Sequence, residues 1–171
     1  MCGIVGYLGG DLINFDLIRS PLENMMDQIA SRGPDSSGKS FDSASRVAFG
    51  HRRLAIQDLS SAGHQPMSSV SDRYSITYNG EIYNNNVIRE ELSNAGFAPN
   101  WRGHSDTETL LFCFEAWGIK ETIVKLSGMF AMAIWDNKCK KLILVRDRVG
   151  EKPLYFGWQG SGISRTFIFG S

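Results

Sequence analysis

The last third of the chain constrains the fold most. Between residues 129 and 169 four short apolar or aromatic runs (129–135, 141–146, 154–158 and 167–169) are punctuated by Asp136-Asn137 and by Gly160 to Gly162. Runs of this length bounded by turn residues read as strands. They follow a central region with helical signals. Ser105-Asp106-Thr107-Glu108 has the form of a capping box and opens a helix carrying Leu110, Leu111, Phe114 and Trp117, which Gly118 ends. A shorter helix is predicted over 121–126, and another over 85–94 with Ile88 and Leu92 inward and Gly96 past its end. Earlier, Ser20-Pro21-Leu22-Glu23 starts a helix whose Leu22, Met25, Met26 and Ile29 recur at three and four residues, until Gly33-Pro34-Asp35 stops it. Strands are expected at 4–8, 46–49 and 75–79, with mainly loop between the last two. An order of strands, helices and then a run of strands predicts an α+β fold rather than a doubly wound parallel sheet.

Composition narrows the function. The 171 residues suit one domain, 1–171, with no internal repeat or linker. Eighteen basic and 18 acidic side chains cancel, so no general nucleic-acid or other polyanion binder is expected. The longest apolar run, seven residues at 129–135, is far short of a membrane span, with a run of five at 110–114, and no signal segment opens the chain. The expectation is therefore a cytoplasmic protein with no membrane partner. The three cysteines, Cys2, Cys113 and Cys139, include no CxxC pair, and His51, His64 and His104 match no local ligand spacing. Neither a disulfide framework nor a metal site is predicted. Cys113 reads as inert core and Cys139 as an exposed turn residue. Trp117, Trp135 and Trp158 read as core anchors. Arg146-Asp147 reads as an ion pair supporting a site rather than as direct chemistry.

Cys2 carries the chemistry. Removal of the initiator methionine, favoured before a small residue, leaves a thiol and a free α-amine on the same carbon. An α-amine titrates at about 7.7–8.0, so near neutrality an appreciable fraction can accept the thiol proton. The thiolate is the nucleophile, and the amine replaces the histidine of other cysteine enzymes. Cysteine also occurs at position two by chance, and its neighbourhood has to decide.

That neighbourhood is specific. Met1-Cys2-Gly3-Ile4-Val5-Gly6 resembles the opening of the class II glutamine amidotransferases, members of the N-terminal nucleophile hydrolases. Ser31-Arg32-Gly33-Pro34-Asp35 with Gly38, Gly50-His51-Arg52-Arg53-Leu54-Ala55-Ile56 and Tyr78-Asn79-Gly80-Glu81-Ile82-Tyr83-Asn84 resemble further elements of that family in the same order. Ser105-Asp106-Thr107-Glu108 and the run from Arg146 to Tyr155 complete the set. The Arg-Leu-Ala-Ile and Asn-Gly-Glu-Ile-Tyr-Asn forms are similar to the branch that includes glutamine-hydrolysing asparagine synthetases. Phosphoribosyl and sugar-phosphate amidotransferases carry Thr-Arg-Trp or Thr-Arg-Tyr where this chain has Arg52-Arg53-Leu54.

The resemblance implies a four-layered αββα sandwich and hydrolysis of L-glutamine to glutamate and ammonia through a thioester on Cys2. It implies that Asn79 and Gly80 stabilise the oxyanion, and that Arg53, Leu54, Ala55, Ile56 and Gln57 line the carboxylate side of the glutamine. Asn79, Gly80, Glu81 and Asp106 would line the rest. Each assignment has a plainer counterpart: Asn-Gly is the commonest hairpin signal, Arg53 could form a surface ion pair, and Asp106 could support a helix N-terminus. No cofactor is implied for this domain. A C-terminal synthetase domain using ATP and Mg, and amidating aspartate or a related carboxylate, is expected to follow it in a longer protein, and a homodimer is left open. Two other classes remain: a non-catalytic regulatory or binding module of the same fold, and an N-terminal nucleophile amidase for another amide.

Overall fold

The structure, a computed structural model, describes residues 1–9, 19–56, 58–97, 99–162 and 165–171, with backbone alone at 19 and 20. Two antiparallel sheets are stacked between helices, as the resemblance implies. The first sheet has the order β2-β3-β1-β9-β8 and is built from β1 (Gly3–Leu8), β2 (Ser36–Asp42), β3 (Val47–Arg53), β8 (Tyr155–Gln159) and β9 (Thr166–Gly170). The second has the order β4-β5-β6-β7 from β4 (Met67–Ser68), β5 (Tyr74–Ile82), β6 (Gly128–Asp136) and β7 (Lys141–Arg146).

Strand alternation explains the layers, because successive side chains leave opposite faces of a sheet. On β6, Phe130, Met132 and Ile134 enter the core beneath α2 (Asn85–Asn94), α3 (Asp106–Trp117) and α4 (Ile119–Lys125). Ala133 and Trp135, one residue out of phase, meet Val47, Phe49 and Phe169 of the other sheet. On the far side of the first sheet, Val5, Tyr7 and Ala48 pack on Leu22 and Met26 of α1 (Arg19–Gln28). The order of layers is thus α, β, β, α.

Several expectations need correcting. Strand β2 was not predicted. Its sequence Ser-Ser-Gly-Lys-Ser-Phe-Asp is mostly polar, and it is a strand because it lies at a sheet edge and pairs along its whole length with β3. Strand β3 extends to Arg53 and β5 to Ile82, beyond the apolar runs, because pairing continues through Gly50 and Gly80. The loop before β5 contains the short strand β4. At the start of α3, Ser105 Oγ accepts from Thr107 N at 3.2 Å, but Glu108 does not reach back to it. Its carboxylate instead accepts from the N–H groups of Arg102 (3.1 Å) and Gly103 (3.3 Å) and pairs with the Arg102 guanidinium. The cap predicted at Ser20 involves a side chain outside the described ones.

Trp135 is buried, but Trp158 stands 56% exposed on edge strand β8, so it is no core anchor. Cys113 is buried in the core, and burial pushes its thiol up to about 12; Cys139 is exposed. Arg146 and Asp147 form no ion pair with each other. Arg146 donates to the carbonyls of Lys152 (2.8 Å) and Gly150 (2.6 Å), while the buried Asp147 carboxylate accepts from the N–H groups of Phe130, Val149, Glu151 and Lys152. Together they brace one turn from both sides.

Candidate active site

The pocket opens where the ends of β1, β3 and β5 meet the start of α3. It brings together Cys2, Arg53, Leu54, Ala55, Ile56, Asn79, Gly80, Glu81 and Asp106, which are nine of the ten site residues expected from sequence. The tenth, Gln57, lies outside the described residues. Among the described residues no group of three or more His, Cys, Asp or Glu side chains is placed to hold a metal ion.

Cys2 immediately precedes β1, and its position follows from the β1–β3 ladder, in which Gly3 faces Arg52. The chain beyond Arg53 therefore passes beside the thiol. Leu54 N donates to Cys2 Sγ at 3.4 Å, and Sγ lies 3.6 Å from the Leu54 carbonyl oxygen. The sulfur is half-buried and borders the cavity. Opposite it, the Lys152 ammonium contacts the sulfur of Met1. Lys152 is only 3% exposed and enters the pocket because the Asp147 turn holds its backbone. Sequence reasoning missed it, although it sits inside the Arg146–Tyr155 motif.

Gly80 has a specific reason to be glycine. A Cβ there would stand 2.3 Å from the Met129 carbonyl oxygen and 2.7 Å from Phe130 Cα, both backbone atoms of β6. Its N–H is directed by the alternation of an antiparallel ladder, in which hydrogen bonds point to the two edges in turn. The amides of Tyr78 and Ile82 point away from β6, to Gln65 Oε1 (2.7 Å) and to Asp106 Oδ2 (3.0 Å). The Phe130 amide, opposite Gly80, turns the other way, to Asp147 (3.2 Å). The Gly80 N–H, between those of Tyr78 and Ile82, thus faces the pocket edge.

Asn79 points between the sheets and is 1% exposed. Its amide orientation is assigned from partners of fixed role, because the Cys2 carbonyl can only accept and the Arg32 guanidinium can only donate. Nδ2 donates to the Cys2 carbonyl at 3.1 Å, and Oδ1 accepts from Arg32 at 3.3 Å and from Ser171 Oγ at 3.0 Å. The Asn-Gly pair is no hairpin turn; it lies inside β5.

Among the described residues Arg53 makes no surface ion pair. It donates to the carbonyls of Ser60 (2.9 Å) and Asp58 and so folds the loop after β3 around its guanidinium. That loop is fastened by the Asp58 carboxylate, which accepts from Ser60 Oγ (2.6 Å), Ser60 N (2.8 Å) and His104 N (2.9 Å). Hydrogen bonding from the Ser60 side chain, foremost, holds this carboxyl down at about 2. Asp106, the first residue of α3, accepts from Tyr78 OH at 2.7 Å and from Ile82 N. Burial raises its pKa, and no cation pairs with it among the described residues. A ligand ammonium at this wall would relieve that cost by placing a positive charge beside a buried anion.

His51 lies at the inner wall. Its Nε2 donates to the Tyr78 carbonyl at 3.2 Å, Nδ1 has no partner among the described residues, and burial lowers its pKa to about 4. An unfolded histidine takes its proton near 6.5. Between those values the unfolded chain binds the extra proton, so His51 should cost stability as pH falls from about 6.5 to 4. The loss should reach about 3 kcal/mol below pH 4 and vanish above neutrality. Urea unfolding of the wild type and His51→Gln across this range is expected to show a flatter profile for the variant; equal slopes would place the titration elsewhere.

The chain is similar to known proteins in sequence and in fold. Residues 1–171 match the glutamine amidotransferase domain family. The chain is 38% identical over its full length to asparagine synthetase [glutamine-hydrolysing] 3 of Bacillus subtilis, of which it covers 26%, and 39% identical over 92% of its length to asparagine synthetase [glutamine-hydrolysing] 2 of Arabidopsis thaliana, of which it also covers 26%. It thus spans about a quarter of the length of these relatives. In fold it is similar to the glutamine phosphoribosylpyrophosphate amidotransferase of B. subtilis complexed with ADP and GMP, with a TM-score of 0.75 at 20% identity, over 99% of this chain and 41% of that one. With the motif order, the sandwich and the pocket around Cys2 in agreement, the chain belongs to the class II glutamine amidotransferase domain family.

Proposed function

We infer that this domain hydrolyses the side-chain amide of L-glutamine in the cytoplasm and supplies ammonia to an ATP- and Mg-dependent synthetase domain of a longer protein. The observation that carries this reading is the convergence on one pocket of Cys2, the pocket-facing Gly80 N–H, Arg53 and the buried anion Asp106. Once Met1 is removed, the α-amine of Cys2 takes the thiol proton and the thiolate attacks the amide carbon. The tetrahedral oxygen gathers negative charge, and the Gly80 N–H and the Asn79 amide are the donors at hand to stabilise it. The protonated amine gives its proton to the leaving nitrogen, and ammonia departs. Water then attacks the thioester, the amine again taking a proton, and glutamate leaves with the Cys2 thiol restored.

Glutamine is distinguished from other amides by its two charges. Arg53 offers a planar guanidinium to the α-carboxylate, and Asp106 with Glu81 offers acceptors to the α-ammonium. Asparagine, one methylene shorter, sets its amide nearer to its two charges and should turn over more slowly. The names of the relatives point to aspartate as the carboxylate finally amidated. A related carboxylate acceptor is tested by giving the full-length protein ATP, glutamine and a panel of carboxylic acids.

Arg53→Lys tests the substrate assignment, since the charge survives and the fork does not. Loss of a charge-assisted bidentate contact costs about 1.5–3 kcal/mol, which is roughly ten- to a hundredfold in kcat/KM and should fall mainly on KM. The variant should lose its preference for glutamine over asparagine and penicillin-type amides as well. Unchanged kinetics, or a wild type that prefers another amide, would count against the reading.

A further inference from the structure

Ser171 has no part in the site as read from sequence, yet its hydroxyl is one of three groups on the Asn79 amide. It follows β9, and its backbone extends the first sheet's ladder to Ile4 in both directions: Ser171 N donates to Ile4 O at 2.8 Å, and Ile4 N to Ser171 O at 3.1 Å. Ile4 is two residues from Cys2, so Ser171 moves with the strand that carries the nucleophile. Its side chain crosses to the second sheet, where Oγ lies 3.0 Å from the Asn79 amide. Both residues are buried.

A side-chain amide has nearly the same shape in its two flipped states, so only its partners select one. Arg32, which can only donate, marks one end as Oδ1 at 3.3 Å, and the Ser171 hydroxyl, free to donate or accept, donates to the same oxygen at 3.0 Å. Two donors at one end leave Nδ2 at the other, against the Cys2 carbonyl at 3.1 Å. Nδ2 carries two protons, and this bond uses one of them. The second remains for charge developing next to Cys2.

We propose that Ser171 is a positioning residue for glutamine hydrolysis, its hydroxyl holding the Asn79 amide in place between the sheets while Arg32 and the Cys2 carbonyl set the end that presents Nδ2 to the nucleophile; this rests on the reading of Asn79 as an oxyanion donor. The serine hydroxyl touches neither thiol nor substrate. It acts through Asn79 alone, and its loss should therefore appear in turnover and not in glutamine affinity.

The test is steady-state glutamine hydrolysis by the intact protein carrying Ser171→Ala, Ser171→Thr or Asn79→Ala, with thermal unfolding of each. Ser171→Ala is expected to lower kcat about tenfold with KM within about twofold and a nearly unchanged midpoint, because the backbone pair with Ile4 remains. Ser171→Thr, which restores the hydroxyl, should recover most of that loss. Asn79→Ala should lower kcat by about 10²–10³-fold. A Ser171→Ala enzyme with wild-type kcat overturns the proposal, as does a loss confined to KM or one that threonine leaves unrepaired. If Asn79→Ala is itself fully active, the oxyanion reading fails instead.

Discussion

Replacing Cys2 by alanine is expected to abolish glutamine hydrolysis while leaving the fold in place. The thiol is the only nucleophile proposed to attack the amide, and without it no thioester forms; serine offers a hydroxyl that is far less nucleophilic than a thiolate, on a shorter bond in a site shaped for sulfur. Removing a covalent nucleophile typically costs several powers of ten in turnover, so either variant should fall below about a thousandth of wild type. Stability should hold, because Cys2 precedes β1 and, among the described residues, its sulfur hydrogen-bonds to the backbone of Leu54 alone. The check is ammonia release beside thermal unfolding of the same samples. A glutamine-analogue diazoketone should add to Cys2 and spare both buried Cys113 and exposed Cys139, which peptide mass mapping will read. A Cys2→Ala protein with a tenth of wild-type turnover, or label on Cys139, would overturn the nucleophile assignment.

The second large effect concerns the base. Any residue retained ahead of Cys2 turns its α-amine into an amide, which accepts no proton near neutrality. General-base assistance is worth about 10²–10⁴-fold, and protein with a blocked Cys2 should lose that much. The chain with Met1 in place shows a second obstacle: Met1 borders the same pocket, and its sulfur meets the Lys152 ammonium. Glutaminase rates of processed and extended protein, each confirmed by intact mass, provide the comparison. A comparable rate from the extended form would make a side chain the base. His51 is poorly suited, since its Nε2 is committed to the Tyr78 carbonyl and burial holds its pKa at about 4.

Most of the secondary structure was legible because its signals are local. The α2 helix runs 85–94 as its apolar spacing predicts, and β7 coincides with the run 141–146. Edge strand β2 was illegible for the opposite reason: its pattern is set by pairing with β3, and its own side chains include none of the usual strand formers except Phe41. Likewise, the apolar runs ended early at Gly50 and Gly80, where close approach of other chain segments requires a missing side chain and pairing still continues. For Gly50 the crowding atoms belong to Met26 of α1, and for Gly80 to the backbone of β6.

The candidate nucleophile, the order of the motifs and nine of the residues gathered at the pocket are readable from the chain alone, because these depend on residue types and on their spacing. What each residue bonds to there comes from the tertiary fold. Asp106 reads equally well as a helix-terminal residue and as a ligand; it is at once the first residue of α3 and a buried pocket wall, bonded to Tyr78 and Ile82. Arg53 binds the loop carbonyls of Asp58 and Ser60, and Lys152 and Ser171 reach the Cys2 region from 150 and more residues away. The physical reason is that a hydrogen bond or a buried charge takes its strength from what faces it within a few ångströms, and in a sandwich of antiparallel strands those partners come from distant parts of the chain.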